Sequence, residues 1–127
     1  MILLDTHLLL WSLMTPERLG SRAIEQIETS DRVLFSSISM LEIAIKRLNG
    51  RLEAPPDIGR HLAESGFEAL VFTPAHASAI EMFPGLARHD PFDRALLGQA
   101  FTEGADFMTR DRQLLGLDLD WILDARA

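Results

Sequence analysis

Four carboxylates at widely separated positions are the residues best suited to do chemistry: Asp5, Glu42, Asp93 and Asp111. Carboxylates that are brought together repel each other by about 1–4 kcal/mol per close pair, and this repulsion raises their pKa values unless a cation is present. Hard divalent cations prefer oxygen ligands, and Mg²⁺ typically takes a few carboxylates together with water. Since the chain has no cysteine and its 4 histidines are scattered without metal-ligand spacing, the set predicts a site for Mg²⁺, with Mn²⁺ as the alternative.

A site of this kind favours hydrolysis of a phosphodiester. One or two divalent ions can activate a water molecule and stabilise the leaving oxygen of an in-line phosphoryl displacement. They also offset the repulsion between an acidic pocket and an anionic nucleic-acid backbone. The net charge of −7, from 19 acidic and 12 basic residues, disfavours non-specific nucleic-acid binding by the general surface and suits a basic partner.

Each acidic residue also has a purely structural explanation. Asp5 stands where it can cap the next helix, and Glu42 follows Ser39 in the spacing of a capping box. Asp93 can favour the positive end of a helix dipole, and Asp111 can lie in a solvated turn between two arginines. Together these explanations require four independent coincidences of position, which favours a common site.

The elements that must position these residues alternate between short apolar strands and helices. Strands are predicted at Met1–Asp5, Arg32–Ser36, Glu68–Phe72, Asp106–Thr109 and Asp120–Leu123. Helices are predicted at Thr6–Met14, Gly20–Thr29, Ser39–Asn49, Asp57–Ser65, Pro74–Met82 and Pro91–Glu103, with a short helical turn at Asp111–Leu115. Strands joined by helices imply right-handed crossovers and a parallel sheet. The predicted fold class is α/β, a three-layer α/β/α sandwich with a four- to five-stranded parallel sheet, formed by a single domain over residues 1–127.

Local signals mark the ends of several predicted helices. Asp90, Pro91 and Gly104 suit the N-cap, the first residue and the C-cap of one helix. Asp57 is placed to cap the helix that follows it. The helix over residues 39–49 has apolar residues at helical spacing, Leu41, Ile45 and Leu48.

The predicted order of elements brings the four carboxylates to one edge of the sheet. In open parallel sheets, ligands bind at the carboxyl ends of the strands. Asp5 closes the first strand and Asp111 lies just past the fourth. Glu42 and Asp93 lie in the first turns of helices, and helices that follow strands begin near this same edge. We therefore expect the four side chains to converge.

Composition places the chain among folded proteins. Hydrophobic residues make up 47% and charged residues 24% of the 127 positions, as is usual for a globular domain. No apolar run approaches the length of about 18 residues that a membrane span needs. The start lacks the basic region of a signal peptide, and Asp5 interrupts its apolar stretch. We therefore expect a cytoplasmic protein with no membrane partner.

Four segments carry a recognisable pattern over essentially the whole chain. They are Leu3-Leu4-Asp5-Thr6-His7, Ser39-Met40-Leu41-Glu42-Ile43-Ala44-Ile45-Lys46, His89-Asp90-Pro91-Phe92-Asp93-Arg94-Ala95-Leu96-Leu97-Gly98-Gln99-Ala100 and Met108-Thr109-Arg110-Asp111. In their order and spacing the sequence resembles the PIN-domain ribonucleases, and among these the VapC-type toxins of toxin–antitoxin pairs. Leu41 stands where relatives often carry Trp, a difference that concerns packing rather than chemistry.

The resemblance implies metal-dependent cleavage of single-stranded or loop RNA. Carried over residue by residue, it implies that the metal is held, and catalysis performed, by Asp5, Glu42, Asp93 and Asp111. It implies that Thr109 hydrogen-bonds a carboxylate or a water on the metal, with Thr6 as a weaker candidate for the same task. It also implies that Asp90, whose main predicted role is the helix N-cap, supports the metal ligands from beside them. Implied partners are the RNA substrate, a cognate antitoxin protein and a second copy of the chain in a homodimer.

Basic and imidazole side chains near these segments have structural explanations as well. Lys46 follows Glu42 at the i,i+4 spacing of a helical ion pair, which is favoured over contact with substrate phosphate. Arg94 follows Asp93 directly and is the arginine best placed to contact an RNA phosphate. His89 is expected to have a structural or capping role rather than to act as a general base.

The alternative function is a catalytically silent PIN-like module that acts only by binding its partner protein. Retention of four mutually repelling carboxylates without a cation argues against it, because that arrangement destabilises the fold. A receiver-type phosphotransfer domain requires paired acids near the first strand and a lysine after a late strand. A haloacid-dehalogenase-type phosphatase requires Asp-x-Asp after the first strand, where this chain has His7.

Overall fold

A single parallel sheet forms the centre of the computed structural model, which describes residues 1–127. Its strands are β1 (Ile2–Leu4), β2 (Val33–Ser36), β3 (Glu68–Leu70), β4 (Asp106–Thr109) and β5 (Ile122–Asp124). Their spatial order is β3-β2-β1-β4-β5, and every neighbouring pair is parallel. The predicted α/β class and parallel sheet are confirmed, with five strands.

Seven helices connect and cover the strands. They are α1 (Thr6–Met14), α2 (Ser21–Thr29), α3 (Ser37–Leu48), α4 (Ile58–Glu64), α5 (Pro74–Ala79), α6 (Pro91–Glu103) and α7 (Arg112–Leu115). Three 3₁₀ turns lie at Pro16–Arg18, Ile80–Met82 and Pro84–Leu86. None of the helices combines the length and the apolar character that crossing a bilayer would require.

The core divides into two apolar clusters, one on each face of the sheet. Because side chains alternate along a strand, Leu3 and Leu4 of β1 belong to different clusters. Leu4 packs with α1, α3 and α4 through residues such as Leu8, Ile43 and Leu62. Leu3 packs with the face that α6 covers through Leu96 and Leu97. Burial of each such side chain contributes about 1.5–3 kcal/mol, so β1 is fixed from both sides.

The start of α3 differs from the prediction. The helix begins at Ser37 instead of Ser39, and its N-cap is Ser36, whose Oγ accepts a hydrogen bond from the Ile38 amide at 3.0 Å. The capping box that offered a purely structural explanation for Glu42 is therefore not formed. Ser39 is instead a residue of α3 itself. Its hydroxyl accepts a hydrogen bond from Thr6 Oγ1 at 2.8 Å, which connects α3 to the start of α1.

The outer face of α3 is apolar and uncovered. Leu41, Ile45 and Leu48 are 50%, 39% and 88% exposed. The face turned to the rest of the molecule instead carries Ser39, Glu42 and Ile43. The spacing of these apolar residues predicted a helix correctly. They lie, however, on the face of α3 that no other element of this chain covers.

Three other boundaries differ by a turn or less. Asp57 precedes α4 with a positive φ of 59° and accepts no capping hydrogen bond, so its expected role as a side-chain cap is wrong. The helix that begins at Pro74 ends at Ala79 and continues as a 3₁₀ turn. The last strand begins at Ile122, two residues later than predicted.

The segment after β5 passes over the beginning of α2. The Ala125 amide donates to the Thr109 carbonyl at 2.9 Å, the Gly20 amide donates to the Ala125 carbonyl at 2.9 Å, and the Arg22 amide donates to the Ala127 carbonyl at 3.1 Å. Gly20 permits this contact, because a Cβ at that position would lie 2.4 Å from the carbonyl carbon and oxygen of Ala127.

Candidate active site

A polar cleft of about 510 Å³ opens at the carboxyl edge of the sheet, and no hydrophobic residue lines it. Its walls are formed by Asp5, His7, Glu42, Lys46, His89, Asp90, Asp93, Arg110, Asp111, Arg112, Gln113 and Arg126. The structure therefore brings all four candidate carboxylates to one cleft. They arrive from the end of β1, from α3, from the first turn of α6 and from the turn after β4.

Asp5 is both a helix cap and a cleft residue. Its Oδ1 accepts from the Thr6 amide at 2.6 Å, and its Oδ2 accepts from Thr109 Oγ1 at 2.7 Å. The side chain is only 2% exposed. Burial raises the pKa of Asp5 to about 6, the charges of Glu42 and Asp111 raise it further, and the two hydrogen bonds oppose the increase.

Glu42 presents an unpartnered oxygen in a buried position. The residue is 3% exposed. Its Oε2 accepts from Lys46 Nζ at 2.5 Å, which is the helical ion pair expected from the sequence. Its Oε1 has no hydrogen-bond partner. A buried carboxylate oxygen left without a partner is costly, so this atom favours binding of a cation.

Asp93 has the most strongly perturbed carboxylate of the cleft. Burial raises its pKa to about 7, and the charge of Asp5 is the next contribution, followed by those of Asp90, Glu42 and Asp111. Asp90 fixes the backbone beneath it as the N-cap of α6, with Oδ1 accepting from the amides of Phe92 and Asp93 at 2.9 and 3.1 Å. Asp90 thus has the capping role that the sequence predicted.

Asp111 caps α7 and still faces the cleft. Its Oδ1 accepts from the amides of Gln113 and Leu114 at 2.8 and 3.1 Å. Its Oδ2 lies 3.1 Å from Nε2 of His89. Asp111 is therefore an ordered helix cap and not a residue of a freely solvated turn.

His89 lies between two of the carboxylates, a position that the sequence reasoning missed. Its Nε2 is 3.3 Å from Asp93 Oδ2 as well as 3.1 Å from Asp111 Oδ2, and its Nδ1 is 2.8 Å from Gln113 Oε1. Ligand atoms of His89, Asp93 and Asp111 all lie within 4.8 Å of one another, a spacing that can hold a metal ion. The i,i+4 spacing of His89 and Asp93 indicates that these two side chains are neighbours. The contact of His89 with Asp111 could not be predicted from local spacing, because Asp111 is distant in sequence.

The two candidate threonines differ in what they contact. Thr109 Oγ1 donates to Asp5 Oδ2 and accepts from the Asp111 amide at 3.0 Å, so one hydroxyl positions two candidate ligands. Thr6 donates its hydroxyl to Ser39 and does not line the cleft. Its contact with Asp5 is made by its backbone amide alone.

The arginine that the sequence favoured for phosphate contact, Arg94, lies outside the cleft. Arg94 donates from Nη1 to the Ala87 carbonyl at 3.0 Å and does not line the cleft. Arg110, Arg112 and Arg126 line it instead. The pKa of His7 at the rim is lowered by burial first and then by the charges of Arg110 and Lys46.

The donor set fits a hard divalent cation. It consists of carboxylate oxygens, with one imidazole nitrogen, and it contains no sulfur. Two of the carboxylates have raised pKa values, and a third has a buried oxygen without a partner. Each of these features is relieved when a cation binds, and oxygen-rich sites of this composition select Mg²⁺ or Mn²⁺ over softer metals.

Comparison with known protein families and sequences gives two matches over most of the chain. The family model described as PIN domain matches residues 2–118. Ribonuclease VapC22 from Mycobacterium tuberculosis (strain ATCC 25618 / H37Rv) is 31% identical over 116 residues, which cover 89% of this chain and 88% of the relative. The range matched by the family model includes all four candidate carboxylates.

Several solved structures share the fold, and one of them is described as a toxin–antitoxin complex. VapBC2 from Rickettsia felis, bound to a DNA fragment from its promoter, aligns with a TM-score of 0.64 and 13% identity, over 98% of this chain and 97% of the other. A toxin–antitoxin complex from Klebsiella pneumoniae aligns with a TM-score of 0.65 and 15% identity, over 97% of this chain and 96% of the other. FitAcB from Neisseria gonorrhoeae aligns with a TM-score of 0.62 and 20% identity, over 97% of this chain and 96% of the other.

Proposed function

The chain belongs to the PIN-domain family, and from this premise we propose that it is the toxin of a toxin–antitoxin pair, an endoribonuclease that hydrolyses RNA with the help of a divalent metal ion. The observation that carries the proposal is the convergence of four carboxylates, from four separate elements, on one cleft. A relative at 31% identity that is named a ribonuclease supports nuclease activity for this chain.

The ion in this proposal is Mg²⁺, with Mn²⁺ as the alternative, and its ligands come from Asp5, Glu42, Asp93 and Asp111. His89 is a further candidate, because its Nε2 lies beside two of these carboxylates. When bound, the ion supplies an activated water and stabilises negative charge on the leaving oxygen.

Other residues of the chain hold the carboxylates in place. Thr109 fixes the Asp5 carboxylate by donating to Oδ2, and the same hydroxyl anchors the backbone of Asp111. Lys46 neutralises one oxygen of Glu42 and leaves the other free. Asp90 fixes the first turn of α6, from which Asp93 projects. Partners of this kind determine ligand orientation, and their loss typically weakens metal binding or activity about 10- to 100-fold.

We also propose an antitoxin protein and a second copy of this chain as partners, and the cytoplasm as the location. One structural neighbour is described as a toxin–antitoxin complex, which supports the antitoxin. The net charge of −7 suits a basic partner. The uncovered apolar row on α3 supports self-association.

The test of nuclease activity compares purified, partner-free wild-type protein with Asp93→Asn on a panel of structured RNAs. Each reaction is run with Mg²⁺, with Mn²⁺ and with EDTA. We expect cleavage by the wild type that requires metal, and a loss of at least about 100-fold in Asp93→Asn, because a ligand should matter more than the outer partners of a metal site.

Asp57→Asn is the matched control, since it makes the same change of charge on exposed Asp57, beside α4 and away from the cleft. This variant should cleave like the wild type. A folded Asp93→Asn protein that retains metal-dependent cleavage would sink the proposed mechanism. If the wild type cuts no RNA and calorimetric titration shows no Mg²⁺ or Mn²⁺ binding, the chain is the silent binding module instead.

A further inference from the structure

Three arginines converge on the ring of one buried tryptophan at the side of the cleft. The guanidinium carbons of Arg18, Arg110 and Arg126 lie 5.8, 5.5 and 5.9 Å from the ring centroid of Trp11. Distances below about 6 Å are those of a cation–π contact. We refer to these three side chains as the arginine cluster.

The cluster is assembled from three places that are distant in sequence. Arg18 ends the 3₁₀ turn after α1, Arg110 follows β4 directly, and Arg126 lies in the segment after β5. Each carrier is fixed by backbone hydrogen bonds, such as that from the Ala125 amide to the Thr109 carbonyl. The convergence is therefore a property of the fold and not of one flexible loop.

The charges of the cluster have no partner within the chain. Arginine pairs with a carboxylate only at Arg32–Glu68 and Arg60–Asp57, although the protein has 19 acidic and 12 basic residues. Three guanidinium groups held over one ring repel each other, and a cation–π contact at an exposed site returns only about 0.5–1 kcal/mol. An anion placed among them would remove the repulsion.

The cluster is continuous with the catalytic cleft. Arg110 and Arg126 line the same cavity as the carboxylates. Arg110 is also the neighbour in sequence of Asp111. The cleft therefore has an acidic centre and a basic wall on the side of β4 and β5.

We propose that the arginine cluster binds a backbone phosphate of the RNA strand, adjacent to the phosphodiester that is cut. This inference rests on the proposed ribonuclease function and assigns residues that bring an anionic strand to an acidic cleft. Guanidinium groups match phosphate with two parallel hydrogen bonds and stack on aromatic faces. Contact with the Trp11 ring restrains the three guanidinium groups, and no carboxylate of the chain pairs with their N–H groups.

Binding is tested with a fluorescein-labelled single-stranded RNA of mixed sequence in EDTA, where no cleavage occurs. The variant is Arg18→Gln/Arg126→Gln, which leaves the residue next to Asp111 unchanged. We expect about tenfold weaker binding, and a slope of log K against log[salt] that is smaller by about 0.7 for each phosphate contact that is lost. The control is Arg60→Gln, on α4 near the opposite edge of the sheet, which should bind like the wild type.

Cleavage kinetics separate this inference from the proposed function. With Mg²⁺ or Mn²⁺, the double variant should lower kcat/KM mainly through a higher KM. If the wild type cuts RNA and the double variant has the same RNA affinity, salt slope and KM, the phosphate assignment is wrong. The proposed nuclease function then stands. If the wild type cuts no RNA while RNA binding still depends on the two arginines, the proposed function fails and the phosphate site stands.

A fluorescence measurement reports on the cluster without any activity. In a Trp121→Phe background, Trp11 is the only tryptophan of the chain. Pyrophosphate, used as a small phosphate probe, should shift its emission, and the shift should disappear in Arg18→Gln/Arg126→Gln. If poly-glutamate shifts the emission and competes at the cluster while pyrophosphate and RNA do neither, the surface takes an acidic protein segment and the phosphate assignment is wrong.

Discussion

Asp5 and Asp93 hold protons at a pH at which ordinary aspartates have lost them. Their pKa values are raised from 3.8 to about 6 and about 7, with burial as the first cause of both increases. In the unfolded chain the same groups titrate near their ordinary value. Between pH 3.8 and about 6 to 7 the folded protein therefore binds more protons than the unfolded chain. Its free energy of unfolding falls as the pH rises through this range.

We predict that the metal-free protein is more stable near pH 5 than near pH 7.5. The stability that the two protonated carboxyls contribute is fully present below their unfolded pKa of 3.8. It is lost as the pH rises through their folded pKa values of about 6 and about 7. Thermal unfolding in EDTA across this range measures the effect. Mg²⁺ should restore stability at the higher pH, because the cation takes over the stabilisation of the ionised pair.

The matched variant for this prediction is Asp93→Asn, which cannot ionise at the position. It should flatten the pH dependence in EDTA and be as stable as the wild type, or more stable, near pH 7.5. A wild-type midpoint that is constant or rises from pH 5 to 7.5, with no difference in Asp93→Asn, contradicts the raised pKa values.

At the scale of elements, Gly20 fixes the start of α2 against the segment after β5. A methyl group there would meet backbone at 2.4 Å. We predict that Gly20→Ala destabilises the protein by about 1–3 kcal/mol, the usual cost of overpacking, as measured by urea unfolding. The control is Gly85→Ala, where a Cβ meets nothing within 4 Å. Equal stability of the two variants would disprove the close contact.

Elements with local end signals could be predicted from sequence, and elements without them could not. The bounds of α6 were correct because Asp90, Pro91 and Gly104 each act within one turn of the helix. The start of α3 was missed because β2 runs into it without a loop, and Ser36 and Ser39 are equally good caps by type. Periodicity gave the spacing of the apolar row on α3, but spacing does not say which face other elements cover.

The site shows the same division between local and long-range information. Asp5, Glu42, Asp93 and Asp111 could be placed at one edge because each lies at a strand end or in an early helical turn. The arginine cluster and the place of His89 could not be foreseen. They depend on how turns that are distant in sequence approach one another, which no local pattern encodes.

At the scale of the whole molecule, the exposed row of Leu41, Ile45 and Leu48 predicts a dimer. Apolar side chains in a row on one helix favour burial against a second copy. Light scattering should give twice the mass of the chain at micromolar concentration for the wild type, and a monomer for Leu41→Lys/Leu48→Lys. Met82→Lys, at another exposed apolar position, is the control and should remain dimeric. A monomeric wild type contradicts the prediction.

The hydrogen bond from Thr109 to Asp5 joins residues 104 positions apart, and β1 lies between β2 and β4 in the sheet. A nascent chain that ends before β4 lacks a neighbour for one edge of β1, the hydroxyl that orients Asp5, and Asp111. Because folding during synthesis proceeds from the N-terminus, the cleft can form only after the ribosome has released the chain up to Asp111. A copy of the chain that stops before β4 therefore lacks the complete set of four candidate carboxylates, because Asp111 follows that strand.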